Sequence, residues 1–161
     1  AWARLERNEI DAGQFDAAFR SEALALGHDV PGSAVLPLLA GTVRPGMVAA
    51  LRACKAAYRV GCITNNVASD ADIGWGPSVA GVMALFDHVI ESSRAGVRKP
   101  DPRIYMMMCD ALGVAPAQCV YLDDLGINCK PAAALGMTAI KVTSEAQALA
   151  ELAAVTGLAL T

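Results

Sequence analysis

The sequence predicts an α/β protein, a three-layer parallel sheet preceded by a small helical segment. Three observations carry that prediction. Short apolar runs recur from Val60 onward, and each is followed by a helix-length amphipathic stretch, the alternation that builds parallel sheets with right-handed crossovers. The run Val120-Tyr121-Leu122 is apolar at consecutive positions, as in strands buried on both faces. Polar residues then cluster where the runs end, which is where ligands sit in such sheets.

Residues 1–42 read as helical, without strand signal. Trp2, Leu5 and Ile10 fit one helical turn pattern, Asp11 is placed to cap a helix, and Phe15, Ala18, Phe19, Ala23 and Leu26 recur at three- and four-residue steps before Gly27 stops them. A second short helix follows from Ser33 to Ala40. Paired amphipathic helices ahead of an alternating α/β portion predict a cap over residues 1–42; helices covering one sheet face would share the pattern.

The α/β portion spans 43–161. Pro45 suits a first helical turn, and Met47, Leu51, Cys54 and Tyr58 form its apolar stripe before a strand at 60–64. A helix over 77–86 and a strand over 87–91 follow. Pro100 and Pro102 flank the start of a helix that Gly113 ends. A strand at 119–123, a helix near 128–135 ended by Gly136, a strand at 138–142 and a helix from Ser144 to Thr156 complete the chain.

Composition excludes several classes. A net charge of −3 with 5% aromatic residues offers neither a basic footprint nor stacking platforms for nucleic acid. Mean hydropathy is high at +0.40, yet no run approaches the ~18 apolar residues of a membrane span, and the charged start, Trp2-Ala3-Arg4-Leu5-Glu6-Arg7, is unlike a signal peptide. The expected compartment is the cytoplasm, with no membrane partner. Five cysteines lack any C-x-x-C spacing, which predicts small core residues in a reducing compartment and no structural zinc. Phosphate-loop and dinucleotide-loop glycine patterns and the G-x-S-x-G elbow are absent.

Three strand tips hold the chemistry. Cys62-Ile63-Thr64-Asn65-Asn66 brings a hydroxyl and backbone amides to a place where an anion can be held. The loop 94–102 puts Lys99 just before a proline-started helix, as a point charge for a phosphate oxygen. Asp123 and Asp124 are adjacent acids; such a pair holds a hard cation such as Mg²⁺ when both stay ionised, or caps the next helix. Arg94, Arg98, Asp70 and Asp72 lie in loops near these tips and read as solvated surface charges.

Ile63-Thr64-Asn65-Asn66, Gly96-Val97-Arg98-Lys99-Pro100-Asp101-Pro102-Arg103-Ile104-Tyr105 and Tyr121-Leu122-Asp123-Asp124-Leu125-Gly126-Ile127-Asn128-Cys129-Lys130-Pro131-Ala132 occur in this order. Together they resemble the second, third and fourth motifs of the haloacid dehalogenase superfamily, and most closely the phosphatase-like amino-terminal domain of soluble epoxide hydrolases, which shares the Asp-Asp-Leu-Gly-x-Asn-x-Lys-Pro pattern. The resemblance covers nearly the whole chain. It implies a Rossmann-like fold with a cap, a Mg²⁺ cofactor and a phosphatase of small organic phosphate esters working through an aspartyl-phosphate. By the same resemblance Thr64 binds the transferring phosphoryl group with Asn65 beside it, Lys99 stabilises its charge, and Asp124 ligates Mg²⁺, with Asp123 ligating directly or through water. The alternatives are a 2-haloacid dehalogenase, which needs no metal, and a non-catalytic ligand-binding member. A homodimer is left open.

One departure matters. The superfamily attacks with an aspartate on a first strand, in an Asp-x-Asp pattern, and no apolar run before Val60 ends in such a pair. That strand would lie between those at 60–64 and 119–123. The expectation is therefore an amino-terminally incomplete chain, lacking the first strand, in which these two strands are not paired with each other and expose open edges.

Overall fold

The structure, a computed structural model, describes residues 1–39, 41–66 and 77–160. The order is α1 (Trp2–Glu6), α2 (Ala12–Ala25), α3 (Gly32–Val35) continued by a 3₁₀ turn over Leu36–Leu39, α4 (Pro45–Ala57), β1 (Gly61–Thr64), α5 (Pro77–Met83), β2 (His88–Glu91), α6 (Ser92–Ala95), α7 (Pro102–Leu112), β3 (Val120–Asp123), α8 (Gly126–Ala134), β4 (Thr138–Lys141) and α9 (Glu145–Thr156). Asp70 and Asp72 lie outside the described residues.

The α/β alternation is as predicted, and its strands run parallel in two separate pairs. β1 pairs with β2, Ile63 opposite Ile90, and β3 pairs with β4, Leu122 opposite Ile140. β1 and β3 do not bond to each other, so the inner edge of each pair carries backbone groups without a ladder partner among the described residues. On one face, α7 packs against both β1 and β2 while α8 packs against β3 and β4. Ile104, Tyr105, Met108 and Ala132 form the core there with Ile90, and Ile63 and Tyr121 pack against it. On the other face, Ala50 of α4 and Leu152 of α9 enclose Ile140, with Val120 and Leu122 alongside. The amino-terminal helices have their own cluster of Leu5, Ile10 and Phe15, tightened by edge-on packing of Trp2 on Phe15.

Local signals explain the boundaries. Asp11 accepts from Gln14 N while the Gln14 side chain accepts from Asp11 N, a complete capping box for α2. Gly27, at φ 86°, follows its end. Asp101 caps α7 with Pro102 at its first position, and Ser144 caps α9. Gly96, at φ 67°, closes α6 and turns the chain toward Lys99, a conformation that favours glycine.

Some expectations fail. Of the predicted stripe on α2, Phe15 is fully buried but Leu26 is 79% exposed, because α2 ends at Ala25 and leaves Leu26 as its cap. Tyr58 is not in the core: it lies just past α4, half-exposed, and its hydroxyl donates to the Thr156 carbonyl. α6 was not predicted, and α8 begins two residues before the predicted start at 128. No helix among the described residues is long and apolar enough to cross a membrane.

Candidate functional site

The strand tips converge. Thr64, Asn65, Lys99, Asp123 and Asp124 line one cavity of about 510 Å³, together with Trp2, Glu6 and Arg98. Lys99, Asp123 and Asp124 also face a second cavity of about 610 Å³ that adds Arg44, Met47 and Thr143. All five residues predicted from sequence therefore share one space: Thr64 and Asn65 from the end of β1, Asp123 and Asp124 from the end of β3, and Lys99 from the loop between α6 and α7.

Asn65 fixes the lysine loop. Its Oδ1 accepts from Lys99 N at 2.8 Å and its Nδ2 donates to the Lys99 carbonyl at 3.0 Å, so one side-chain amide grips both backbone groups of Lys99. That grip leaves a single amide N–H for anything in the cavity. The lysine side chain then runs inward, 13% exposed, and Nζ donates to Asp123 Oδ2 at 2.8 Å.

Asp123 is the most heavily bonded group in the site. Its Oδ2 also accepts from the Tyr121 hydroxyl at 2.7 Å, and Oδ1 accepts from Leu125 N at 2.9 Å and Asn128 Nδ2 at 3.0 Å. Four donors occupy the roughly four lone-pair positions of a carboxylate. Burial alone would raise its pKa, but the hydrogen bonds from Lys99, Tyr121 and Leu125 N and the lysine charge outweigh it and hold the group below the ordinary range. The Tyr121 hydroxyl is pushed up, by burial and by donating to that carboxylate. Tyr105, whose ring meets Tyr121 edge-on and whose hydroxyl donates to the Asn128 carbonyl, is raised to about 12, chiefly by burial.

Asp124 is the opposite case. It is exposed and points at both cavities, and no hydrogen bond or ion pair to the described residues holds its carboxylate. No cluster of three acidic, histidine or cysteine side chains able to hold a metal occurs among the described residues. A divalent cation here fits one free carboxylate completed by water and ligand oxygens, the arrangement Mg²⁺ favours. Asp123, with its lone pairs taken, is suited to orienting Lys99 and the turn that presents Asp124.

Sequence reasoning missed three contributors. Tyr121 and Asn128 stand two before and five after Asp123, spacings that aim a strand residue and a first-turn helix residue back at the same carboxylate. Arg98 is a correction: instead of a solvated charge it forms an ion pair with the buried Glu6 of α1, its side chain 27% exposed. The Ser92 hydroxyl donates to the Glu6 carbonyl at 2.7 Å, and together these contacts join the amino-terminal helices to the lysine loop. Arg94 is exposed as expected and pairs with Glu91 at 3.2 Å.

Comparison with known proteins agrees with this geometry. A profile for haloacid dehalogenase-like hydrolases matches residues 3–136. Bifunctional epoxide hydrolase 2 of Mus musculus is 35% identical over 153 residues, covering 88% of this chain and 27% of that protein; the chain thus spans about a quarter of that relative's length. A phosphatase of Mycobacterium tuberculosis is 34% identical over 92 residues, covering 55% of this chain and 41% of its own. Among solved structures, a HAD family enzyme from Bacteroides thetaiotaomicron, in complex with magnesium and inorganic phosphate, superposes with a TM-score of 0.63 at 22% identity, over 85% of this chain and 71% of that one. A HAD-like family hydrolase from Porphyromonas gingivalis gives 0.65 at 20% identity, over 92% and 76%. The fold, the ordered strand-tip motifs and the profile match agree, and the chain belongs to the haloacid dehalogenase-like hydrolase family.

Proposed function

We propose that this protein is a Mg²⁺-dependent phosphatase of small organic phosphate esters, its strand-tip residues forming the phosphoryl- and metal-binding side of the site. The observation that carries the reading is the joint placement of Thr64, Lys99 and Asp124 on one cavity, with Asp123 holding Lys99 in place. Phosphoryl transfer asks the protein mainly to position the group and neutralise its equatorial oxygens. Thr64 donates from its hydroxyl and Lys99 supplies a fixed positive charge. Asp124 would hold the Mg²⁺, which when bound neutralises phosphoryl charge. Residues 1–42 act as a cap whose Trp2, Glu6 and Arg98-facing wall shapes the leaving-group side.

The attacking carboxylate is a group on a strand seated between β1 and β3, outside this sequence. The inner edges of both strands, unpaired among the described residues, support that reading, since each needs a partner for its backbone groups. Attack there forms an aspartyl-phosphate that water then cleaves. The substrate is a soluble phosphorylated small molecule, and the compartment is the cytoplasm.

A panel of phosphate esters offered to the full-length gene product tests the reading. Turnover that needs Mg²⁺, stops with EDTA and is lost in Asp124→Asn is the expected outcome. Equal turnover of p-nitrophenyl phosphate in EDTA rejects the metal-dependent reading. Release of halide from a 2-haloacid, without phosphate release, replaces it with a dehalogenase.

A further inference from the structure

Five cysteines are present, and two of them face each other at a place no part of the phosphate site uses. Cys109 lies on the inner face of α7 and is 2% exposed. Cys119 stands immediately before β3 and is half-buried. Their Sγ atoms are 3.9 Å apart, and Cys119 Sγ also lies 3.5 Å from the Ala115 carbonyl, to which its S–H donates. That leaves the Cys119 sulfur lone pairs toward Cys109. Among the described residues no other pair of sulfurs approaches this way; Cys129 instead turns its S–H to the Asp123 and Ile140 carbonyls.

We propose that Cys109 and Cys119 are a peroxide-oxidisable dithiol that closes to a disulfide between α7 and the start of β3. The two thiols are unequal, and the inequality sets the order of events. Cys119 is reachable from solvent, whereas burial, reinforced by the neighbouring sulfur, pushes the Cys109 thiol up to about 11 and shields it. A hydroperoxide therefore meets Cys119 first. Its O–O bond breaks, one oxygen bonds to Cys119 Sγ as a sulfenic acid, and the other leaves as water, or as an alcohol from an organic peroxide. Cys109 Sγ then attacks the Cys119 sulfur, the S–O bond breaks, and the hydroxyl leaves as water with the Cys109 proton. Two thiols are oxidised by two electrons, and hydrogen peroxide is reduced to two waters.

The bond requires the sulfurs to close from 3.9 Å to about 2.05 Å. The crosslink would join an element under both strand pairs to the amino end of β3. Asp123 stands at the opposite end of that strand, so the dithiol acts on stability and not on the phosphate contacts. It ties together chain segments ten positions apart, which constrains the unfolded state.

Treating the reduced, intact protein with one equivalent of hydrogen peroxide, the amount the two-electron step consumes, and counting thiols after denaturation tests this. The count is expected to fall from five to three. The monomer mass should fall by about 2 Da, a peptide map should join Cys109 to Cys119, and the melting temperature should rise and return with dithiothreitol. Cys119→Ser, at a half-buried position, should keep its four remaining thiols. Five surviving thiols in the wild type, a bond mapped to any other pair, an intermolecular dimer, or two thiols lost in Cys119→Ser would each overturn the proposal. None of these readouts involves phosphate or Mg²⁺, so the dithiol and the phosphatase readings stand or fall separately.

Discussion

The two strand pairs have the same parallel geometry and very different surroundings. β3–β4 is enclosed on both faces, Tyr121 and Ala139 against α7 and α8, and Leu122 and Ile140 against α4 and α9. β1–β2 is covered by α7 through Ile63 and Ile90, while Cys62 and Val89 on its other face stay half-buried and belong to no core cluster of the described residues. The tips differ in the same sense. β3 ends in a carboxylate with four donors, and β1 ends at Thr64, which looks onto the cavity with the next residue, Asn65, whose side chain holds the lysine loop. One pair is enclosed on both faces and the other is half-open beside the cavity, and Lys99, held by Asn65 and bonded to Asp123, is the link between them.

Cutting that link gives the largest expected effect. Lys99→Ala leaves Asp123, with a side chain 5% exposed, without its counter-charge, and loss of one partner of a buried pair costs about 3 kcal/mol, the lower end of the range because three other donors remain. Urea unfolding should show that loss, and turnover by the full-length protein should vanish. Adding Asp123→Asn should return part of the stability, since the two positions are directly coupled. Unchanged stability in Lys99→Ala would mean the two strand tips are not joined through this pair.

The unequal cover of the two pairs can be tested directly. Ile140→Ala empties a site enclosed on both sides and should cost about 3 kcal/mol, whereas Val89→Ala on the less covered face should cost about 1 kcal/mol. Equal penalties would erase the contrast and show that β1–β2 is as well enclosed as its partner pair.

The order of elements was legible because periodicity, proline starts and glycine stops are local signals: Pro102 and Gly113 bracket α7, and Ser144 opens α9. The strand-tip residues were legible too, since the parallel alternation sends Thr64, Lys99 and Asp123 to one end. What escaped was set by distance along the chain or by competition for a donor. α6 is four residues long and has no periodicity to read. α8 starts early because Asp123 takes Leu125 N and turns the chain into a helix at once. Arg98 looked like a surface charge because its partner, Glu6, is on the first helix, and only the fold brings them together.

Acid should act through the β3 tip. The Asp123 carboxyl is held below its ordinary range in the folded protein, while in the unfolded chain it titrates near 3.9. Its contribution is therefore complete above about pH 4 and is lost as pH falls through the lower folded value. The wild type should lose stability more steeply below pH 4 than Asp123→Asn, in denaturant midpoints taken at stepped pH. Parallel curves would place the acid sensitivity elsewhere.

Tyr121→Phe gives the smallest effect and the sharpest local information. The ring stays packed edge-on against Tyr105 and only the 2.7 Å hydrogen bond to Asp123 Oδ2 goes. A bond to a charged acceptor contributes about 1.5 kcal/mol, and Lys99 remains on the same oxygen, so the expected loss is about 1 kcal/mol. The acid limb should move as well: with one donor fewer, the folded pKa of Asp123 rises toward the unfolded value, and the difference between wild type and variant should shrink as pH falls below 4. A constant difference across that range would show that the hydroxyl acts through packing and not through the carboxylate. Lys99 would then be the principal donor setting that charge, and the β3 tip would depend on β1 more than its own strand suggests.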